Sequence, residues 1–369
     1  MRIALLEKRE NFEKILRETL STSSLLKENH HVGETSYCIN KYLNFISTNK
    51  LPENVFQILV NEYSSSLSWW KKGIQFMYVK LAVSRIFRTF FSHTKIKLSS
   101  NYENLLILGG NHRLRLFSIK LESSFVLLKK GERDNYIKND ILIRKENNIN
   151  YAPQILNYGE DWLEEEYFEG VPINRLEDQS KIKELKYSIF NSHFKALNHT
   201  NIKSHDKIDY INIVRKEVTQ IVSNKKIIAK GEVIEKIQSV FELLFSKLTE
   251  YKIKVSWSHG DFQEANILVA NNVCNVIDWE SSDKRFYLYD AFILFGRLRE
   301  GKSLAESVEN FKESMASFYF IEDVDDNVIT LLLIEELRFN VNETFSSNFF
   351  MSGAHSENLC DAIMEFING

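Results

Sequence analysis

The sequence has little proline and glycine, few cysteines and almost no net charge. Its 369 residues include 3 Pro, 13 Gly and 3 Cys. Because proline and glycine punctuate turns and loops, their scarcity favours helices and tight connections over long irregular segments. The cysteines Cys38, Cys274 and Cys360 lie far apart and form no C-x-x-C pair, which argues against a disulfide framework and a thiolate zinc site. We expect reduced, buried thiols in a cytoplasmic protein.

The charge is nearly balanced, with 47 Lys and Arg against 50 Asp and Glu. Nucleic-acid binders usually carry a net basic face, so this balance argues against nucleic acid as a partner. No window of about 18 uncharged apolar residues occurs, so we expect no membrane-spanning helix, and the N-terminal apolar stretch is too short for a signal peptide. The chain is 44% hydrophobic and contains 26 Phe and 15 Tyr, which is enough for a sizeable core.

The first hundred residues are predicted to be mostly helical. Apolar residues recur at helix-like spacing around Leu16 and again around Phe45 and Ile46. The segment 68–91 is dense in aromatic and aliphatic residues interrupted by Lys and Arg. It fits a helix packed on its neighbours with basic side chains reaching outward, or a basic amphipathic helix on a membrane surface. In the second case the protein would be peripheral at the inner face of the membrane, and a protein partner is a further possibility for this segment.

From about residue 101 the pattern changes to short apolar runs separated by turns. Three runs predict antiparallel strands joined by tight turns, and a helix and two more strands follow. These elements cover about 105–108, 114–119, 125–128, 133–145, 153–158 and 162–168. From Ile182 onward the pattern is again helical. A small sheet flanked by helices and followed by a mostly helical region predicts an α+β fold rather than a βαβ repeat.

The residues that carry chemistry lie in two short segments, His259-Gly260-Asp261 with Asn266, and Ile277-Asp278-Trp279-Glu280. Two apolar runs separated by the turn 270–272 predict a hairpin between these segments. The hairpin brings Asn266 near Asp278, so that one oxygen from each could hold the same Mg²⁺. Asp261 would face the same space, but its carboxylate would not bind the metal. This arrangement is the one that phosphoryl transfer needs.

The pattern resembles the aminoglycoside phosphotransferase and choline kinase superfamily, whose members share the protein-kinase-like two-lobed fold. The resemblance covers roughly residues 103–300. It implies a small antiparallel-sheet lobe over 101–168 and a larger helical lobe over 169–369. The resemblance does not account for residues 1–100, which we expect to form a helical N-terminal extension. It also implies an ATP- and Mg²⁺-dependent enzyme that phosphorylates a hydroxyl of a small molecule. The acceptor could be a sugar, an amino alcohol, an aminoglycoside or a sugar on a lipid carrier.

The resemblance assigns roles to the residues of the two segments. Asp261 would be the catalytic base, or would orient the acceptor hydroxyl. His259 would orient the loop by hydrogen bonds rather than move a proton. Asn266 and Asp278 would hold Mg²⁺, and Glu280 would reach the metal through water or have a structural role.

The resemblance also implies a nucleotide site upstream. The turn Gly109-Gly110-Asn111 would cover the phosphates, and a lysine at the end of the third strand would hold them. We favour Lys129 for this role. Lys130 is the alternative, because adjacent strand residues face opposite sides of a sheet and the sequence does not say which of the two points inward.

Three further contacts follow from the resemblance. The family pairs the phosphate-binding lysine with a Glu, whereas the nearest position here is Asp140, with Glu132 as the alternative. Backbone groups of Glu166, Tyr167 and Phe168 would bind adenine. Asp290 would tie loops together after the metal motif.

Two other functions compete with a small-molecule kinase. A protein kinase would need a peptide-docking segment, but only ten residues separate Glu280 from Asp290. A non-catalytic nucleotide-binding scaffold would not need to retain all of Asp261, Asn266 and Asp278. Four acids of the helical region could bind a cationic acceptor. Alternatively, they could simply lie on solvent-exposed helix faces. These acids are Asp283, Asp290, Glu335 and Glu336.

Overall fold

The computed structural model shows two compact units, Met1–Ile141 with Pro153–Phe168, and Leu142–Ala152 with Glu169–Gly369. The structure describes residues 12–27, 34–40, 45–47, 53–63, 68–84, 86–87, 92–99, 106–110, 112–117, 122–147, 149–198, 202–222, 231–249, 252–319, 321, 324–345 and 354–368.

The first unit is built on an antiparallel sheet. Among the described residues this sheet has eight strands in the order β3-β1-β2-β4-β5-β6-β8-β7. The strands are β1 (Glu34–Asn40), β2 (Phe45–Ser47), β3 (Ser92–Ser99), β4 (Leu106–Gly109), β5 (Arg113–Phe117), β6 (Ser123–Leu128), β7 (Ile155–Tyr158) and β8 (Trp162–Glu166). Strands β4 to β8 confirm the sheet that was predicted from residue 101 onward.

Helices cover this sheet with amphipathic faces. They are α1 (Phe12–Thr22), α2 (Ser24–Lys27), α3 (Glu53–Tyr63), α4 (Trp69–Val83) and α5 (Asn135–Glu146). Leu16 and Leu20 of α1 pack with Leu114 and Leu127 of the sheet. Ile137 of α5 is fully buried and packs in the cluster formed with β6 and β8.

The first hundred residues are not helical throughout. Strand β2 pairs with β4, with Ile46 opposite Ile107, so this region contributes to the same sheet as the later strands. The helical interpretation of Phe45 and Ile46 was therefore wrong. All three residues of β2 are buried, so the segment shows no alternation that would reveal a strand.

The second unit is mostly helical. Its helices are α6 (Gln179–Asn198), α7 (Lys207–Val222), α8 (Gly231–Lys247), α9 (Tyr289–Gly296), α10 (Leu304–Met315), α11 (Asp326–Phe345) and α12 (Ala354–Asn368). They enclose one large apolar core, to which Phe292 of α9 and Leu332 of α11 contribute fully buried side chains. No helix among the described residues is long and apolar enough to cross a membrane.

Two small antiparallel sheets position the loops of the second unit. One has the order β10 (Lys203–Asp206), β11 (Lys252–Ser258), β14 (Asp283–Phe286). The other has the order β13 (Val273–Val276), β12 (Ile267–Ala270), β9 (Val171–Pro172). An antiparallel-sheet unit and a larger helical unit, in this order along the chain, agree with the predicted α+β, protein-kinase-like fold.

Candidate active site

The loop after strand β11 is held by one buried carboxylate. Asp290, in the first turn of α9, accepts hydrogen bonds from Ser258 Oγ (2.7 Å), from the His259 N–H (2.7 Å) and from the Gly260 N–H (3.0 Å). A carboxylate that accepts several short bonds fixes the backbone that donates them. Asp290 therefore ties the His259-Gly260-Asp261 loop to α9, as the resemblance implied.

A second layer supports this carboxylate. His193 Nε2 donates to Asp290 Oδ2 at 2.7 Å, and the Tyr151 hydroxyl lies 3.1 Å from His193 Nδ1. Burial alone would raise the pKa of Asp290, but the hydrogen bonds from His193 and Ser258 and the fields of His193 and His259 outweigh it and lower that pKa. Asp290 is thus ionised in the folded protein and serves as an anchor.

His259 is fully buried, and both of its ring nitrogens are engaged. The Asp261 N–H donates to Nδ1 (3.2 Å), and Nε2 donates to the Ile277 carbonyl (3.0 Å). Because a backbone N–H can only donate and a carbonyl can only accept, these contacts fix the neutral tautomer with its proton on Nε2. Burial, followed by the charge of His193, lowers the pKa of His259 against the opposing fields of Asp290 and Asp261. These contacts favour an orienting role over proton transfer.

Gly260 sits where no other residue fits. Its φ is +85°, and a Cβ at this position would lie 2.2 Å from the Ser281 carbonyl oxygen and 2.7 Å from Arg285 Nη1. The left-handed backbone and the close approach of the Ser281 backbone both require glycine. The glycine thus allows the loop to pack directly on the segment that follows Asp278.

The predicted hairpin is present. Strands β12 and β13 pair with Ile267 opposite Val276, and the Ile277 N–H donates to the Asn266 carbonyl at 2.9 Å. The two-residue turn Asn271-Asn272 has positive φ values of 49° and 63°, as a type I′ turn requires. The register therefore places Asp278 one residue beyond the backbone partner of Asn266.

Asn266 and Asp278 are the residues that were predicted to hold Mg²⁺. Asn266 Nδ2 donates to the carbonyl oxygen of Asp261 (2.9 Å) and to its Oδ2 (3.1 Å), which turns Asn266 Oδ1 away from these bonds. Asp278 has a left-handed backbone (φ 68°, ψ 53°), an uncommon conformation that is frequent at functional sites. One amide oxygen and one carboxylate suit a hard cation that keeps water and phosphate ligands. Among the described residues no group of three His, Cys, Asp or Glu forms a metal cluster.

Arg299 is a site residue that the sequence did not reveal. It lies in the turn Leu298–Glu300, and its Nε is 3.5 Å from Asp261 Oδ1. Its Nη1 and Nη2 donate to the two carboxylate oxygens of Glu336, and its guanidinium lies 4.5 Å from the centre of the Phe339 ring. Burial would lower the pKa of Arg299, but the charges of Glu336 and Asp261 and the Tyr289 hydroxyl raise it, so the guanidinium stays charged.

The acids of the helical region are used inside the fold. Glu335 accepts from the Tyr210 hydroxyl (2.8 Å) and the Phe286 N–H (2.9 Å), and Glu336 binds Arg299 and the Tyr289 hydroxyl. Asp283 pairs with Arg338 at 3.0 Å, and Asp290 anchors the loop. The suggestion that these acids are solvated helix faces was therefore wrong for Glu335 and Glu336. Each of the four carboxylates thus has a partner within the protein, which does not favour a role in binding a cationic acceptor.

In the first unit, Lys129 and Lys130 face opposite ways. Lys129 is buried and its Nζ donates to the Gly110 carbonyl at 2.6 Å, whereas the Lys130 side chain is exposed. The turn that follows Gly109, the last residue of β4, is closed by the Gly110 N–H, which donates to the Arg113 carbonyl at 2.9 Å. The structure thus brings Gly110 and Lys129 together. Asn111 lies outside the described residues.

The two acids considered as partners of Lys129 each have another buried partner. Asp140 forms an ion pair with Arg113, and Glu132 lies 2.9 Å from His112 Nδ1. Neither pairing was predicted. Polar and apolar residues alternate in β5, and this pattern predicts that Arg113 and Arg115 face solvent. Helix α5 covers that face, so Arg113 is buried there.

The segment expected to bind adenine ends strand β8. The N–H groups of Glu166 and Tyr167 donate to the carbonyls of Gln154 (3.0 Å) and Glu122 (3.2 Å). A backbone donor to adenine from this segment would therefore be the N–H of Phe168. The chain passes from the first unit to the second immediately after this residue.

No protein-family model and no curated protein sequence matches the chain. In structure it is similar to choline kinase from Cryptosporidium parvum Iowa II, with 17% identity and a TM-score of 0.46, over 73% of this chain and 92% of that one. It is also similar to a choline/ethanolamine kinase family protein from Mesorhizobium loti, with 14% identity and a TM-score of 0.46, over 78% and 94% of the two chains.

A third similar structure is a thermostable variant of aminoglycoside phosphotransferase APH(4)-Ia in complex with AMP-PNP and hygromycin B. It shows 14% identity and a TM-score of 0.49, over 72% of this chain and 94% of that one. Because these identities and TM-scores are low, the roles proposed below rest on the residues of this chain alone.

Proposed function

We propose that the protein is an ATP- and Mg²⁺-dependent phosphotransferase whose acceptor is a hydroxyl of a small molecule. The observation that carries the proposal is the arrangement of Asp261, Asn266 and Asp278. Asn266 Nδ2 donates to Asp261 while its Oδ1 takes no part in these bonds, and Asp278 follows Ile277, the backbone partner of Asn266 in the hairpin. A base and two oxygen ligands on adjoining segments are what transfer from a nucleotide to an alcohol requires.

Asp261 is the proposed proton acceptor. Its carboxylate is partly exposed, and it is held by Gln263 Nε2 (2.8 Å), Asn266 and Arg299. In the transfer step the acceptor oxygen forms a bond to the γ-phosphorus, the bond from that phosphorus to the β–γ bridging oxygen breaks, and ADP leaves. The hydroxyl proton passes to Asp261. Fixed hydrogen bonds to this carboxylate keep it in position for that transfer.

Asn266 and Asp278 would hold Mg²⁺. The ion, when bound, offsets the negative charge of the nucleotide phosphates. In the first unit, Lys129 and the turn at Gly109 and Gly110 would contact the phosphates, and the backbone near Phe168 would contact adenine. Glu280 is buried next to the hairpin, which suits a supporting role.

Short connections favour a small acceptor over a protein. Only strand β14 and two short links separate the turn Trp279–Ser281 from α9, so no long segment is present there to dock a peptide. The internal use of Asp283, Asp290, Glu335 and Glu336 means that a cationic acceptor is not favoured over a neutral one. The candidate acceptors therefore include sugars, amino alcohols and lipid-carried sugars as well as aminoglycosides.

The test is to incubate the purified protein with a metabolite extract, ATP and Mg²⁺ and to follow the products by mass spectrometry. We expect one species to gain a phosphate, and we expect EDTA or the Asp261→Asn substitution to prevent that gain. Panels of aminoglycosides and of lipid-linked sugars extend the search beyond soluble metabolites. Nucleotide binding without any phosphorylated product in all panels would favour a non-catalytic scaffold.

A further inference from the structure

Helix α4 exposes large apolar side chains to solvent. Trp69 is 84% exposed, Ile74 61% and Met77 54%, and Trp70 is half exposed. Among the residues of this helix only Val79 and Ala82 are buried. Single exposed apolar residues are ordinary, but several of this size on one short helix mark an interaction surface.

The exposed residues form a face of their own. Trp70, Ile74 and Met77 recur at intervals of four and three, so they lie along one side of the helix, and half-buried Leu81 follows four residues later on the same side. Val79 and Ala82 lie on the opposite side, where they pack with Leu59 of α3. Helix α4 therefore has one apolar face that packs in the fold and a second that is largely exposed in the part of the chain that the structure describes.

The charge around this face has one sign. Residues 68–91 contain five basic residues and no acidic one, and Lys71, Lys72 and Lys80 are exposed. Arg85 and 88–91 lie outside the described residues. A second copy of the helix is a poor partner, because pairing needs opposite charges beside the apolar stripe and this helix offers only lysines. A partner surface that is complementary to α4 would have an apolar region for the apolar face and negative charges at its edge for the lysines.

We propose that α4 binds the surface of membranes that contain anionic lipids. The face of Trp70, Ile74 and Met77 enters the boundary between headgroups and acyl chains, and Lys71 and Lys80, which flank this face on either side, contact lipid phosphates. Tryptophan is favoured at this boundary because its ring is apolar and its N–H is polar. Such a helix lies in the plane of the interface and does not span the bilayer. The proposal does not depend on the phosphotransferase assignment.

Tryptophan fluorescence offers a direct test on the full chain. Of the five tryptophans, Trp162, Trp257 and Trp279 are buried, so a response to lipid reports on Trp69 and Trp70. We expect vesicles of phosphatidylcholine and phosphatidylserine to shift this emission to shorter wavelength, and brominated acyl chains to quench it. We expect pure phosphatidylcholine vesicles to have little effect, and 0.5 M salt (about five times the ionic strength of ordinary buffer) to weaken the response.

Matched variants distinguish vesicle binding through the α4 face from non-specific binding by other parts of the protein. Replacing Lys71 and Lys80 with Gln removes two charges, and each is worth about fivefold in vesicle affinity, so the affinity measured by co-sedimentation should fall roughly 25-fold. The control replaces Lys203 and Lys252, which are exposed in the second unit, with the same charge change. Trp70→Ser with Ile74→Ser should also abolish binding. The control for that pair is Ile208→Ser with Tyr319→Ser, two exposed side chains of the second unit.

Three results would overturn the proposal. One is the absence of both quenching and sedimentation with anionic vesicles for the unaltered protein. Another is equal loss of binding in the test and control variants. The third is a concentration-dependent dimer that is removed by Trp70→Ser while vesicles have no effect, because it would assign the face to a second copy. We expect the α4 variants to lose vesicle binding but to keep full kinase activity, because the membrane proposal does not depend on the phosphotransferase assignment.

Discussion

Arg299 Nε lies 3.5 Å from Asp261 Oδ1, and the same guanidinium is bound from behind by both carboxylate oxygens of Glu336. A guanidinium can reach two carboxylates at once because its donors are fixed in a planar fork. The guanidinium links the proposed base to α11 through an ion pair with Asp261 and hydrogen bonds to Glu336. Arg299 is therefore a positioning residue for Asp261.

Arg299→Lys keeps the charge but loses the fork, so the lysine cannot hold Glu336 in two places and still reach Asp261. We expect kcat to fall about tenfold or more, with little change in the KM for ATP, because misplacement of a reacting group by an ångström is costly. The control is Arg297→Lys, an exposed neighbour that pairs with Glu300. Equal kcat values for Arg299→Lys and the unaltered protein, at unchanged thermal stability, would contradict a positioning role.

Two glycines with positive φ make a matched pair for stability. A Cβ at Gly260 would overlap the Ser281 carbonyl, whereas a Cβ at Gly301 would meet nothing within 4 Å. Gly301→Ala should cost about 1 kcal/mol of unfolding free energy for the left-handed backbone alone. Gly260→Ala adds a backbone clash and should cost about 3 kcal/mol or more. Chemical denaturation of the two variants measures the difference, and equal losses would mean that the loop is not packed as described.

Hydrogen bonding by neutral His259 predicts a pH dependence of stability. Its pKa is lowered in the folded protein, so between about pH 6.5 and that lower value the unfolded chain binds a proton that the folded chain does not. The stabilising contribution is present above pH 6.5 and is lost as the pH falls. The difference in unfolding free energy between the unaltered protein and His259→Asn should shrink below pH 6.5, by up to about 1.4 kcal/mol per pH unit. A difference that stays constant from pH 7.5 to pH 5 would show that His259 titrates normally in the fold.

The adjacent lysines at the end of β6 provide a test of the nucleotide site. Lys129→Ala should raise the KM for ATP about tenfold or more, because Lys129 is buried, reaches Gly110, and is the proposed contact to the phosphates. Lys130→Ala should leave the KM unchanged, because that side chain is exposed. Steady-state kinetics with both variants checks this order. A larger effect for Lys130→Ala would reverse the assignment.

Local patterns were sufficient to predict the hairpin. The runs on either side of the Asn271-Asn272 turn define the register, and this register pairs the backbone of Asn266 with Ile277, the residue before Asp278. The strands β4 to β8 were equally clear, since turns separate them. In these parts short-range sequence and tertiary structure agree.

Long-range partners were not predictable in this way. Arg299 is 38 residues beyond Asp261, and nothing between them indicates that they meet. One signal was available for Glu335 and Glu336, which follow the apolar run Leu331–Ile334 and precede Leu337. Acids inside a helix that is apolar on all sides must be buried and paired, so their roles were open to prediction from composition. Strand β2 lacked any such signal, because pairing with β4 decides its structure.

The central proposal is that Asp278 holds Mg²⁺ for a nucleotide while Asp261 acts only in transfer. The most direct measurement is calorimetric titration of a non-hydrolysable ATP analogue, with and without Mg²⁺, into the unaltered protein, Asp261→Asn and Asp278→Ala. We predict that Asp261→Asn keeps Mg²⁺-dependent binding while its turnover falls about a hundredfold or more. We predict that Asp278→Ala loses both the Mg²⁺ dependence and turnover. Full Mg²⁺-dependent binding by Asp278→Ala, or normal turnover by Asp261→Asn, would contradict the assignment.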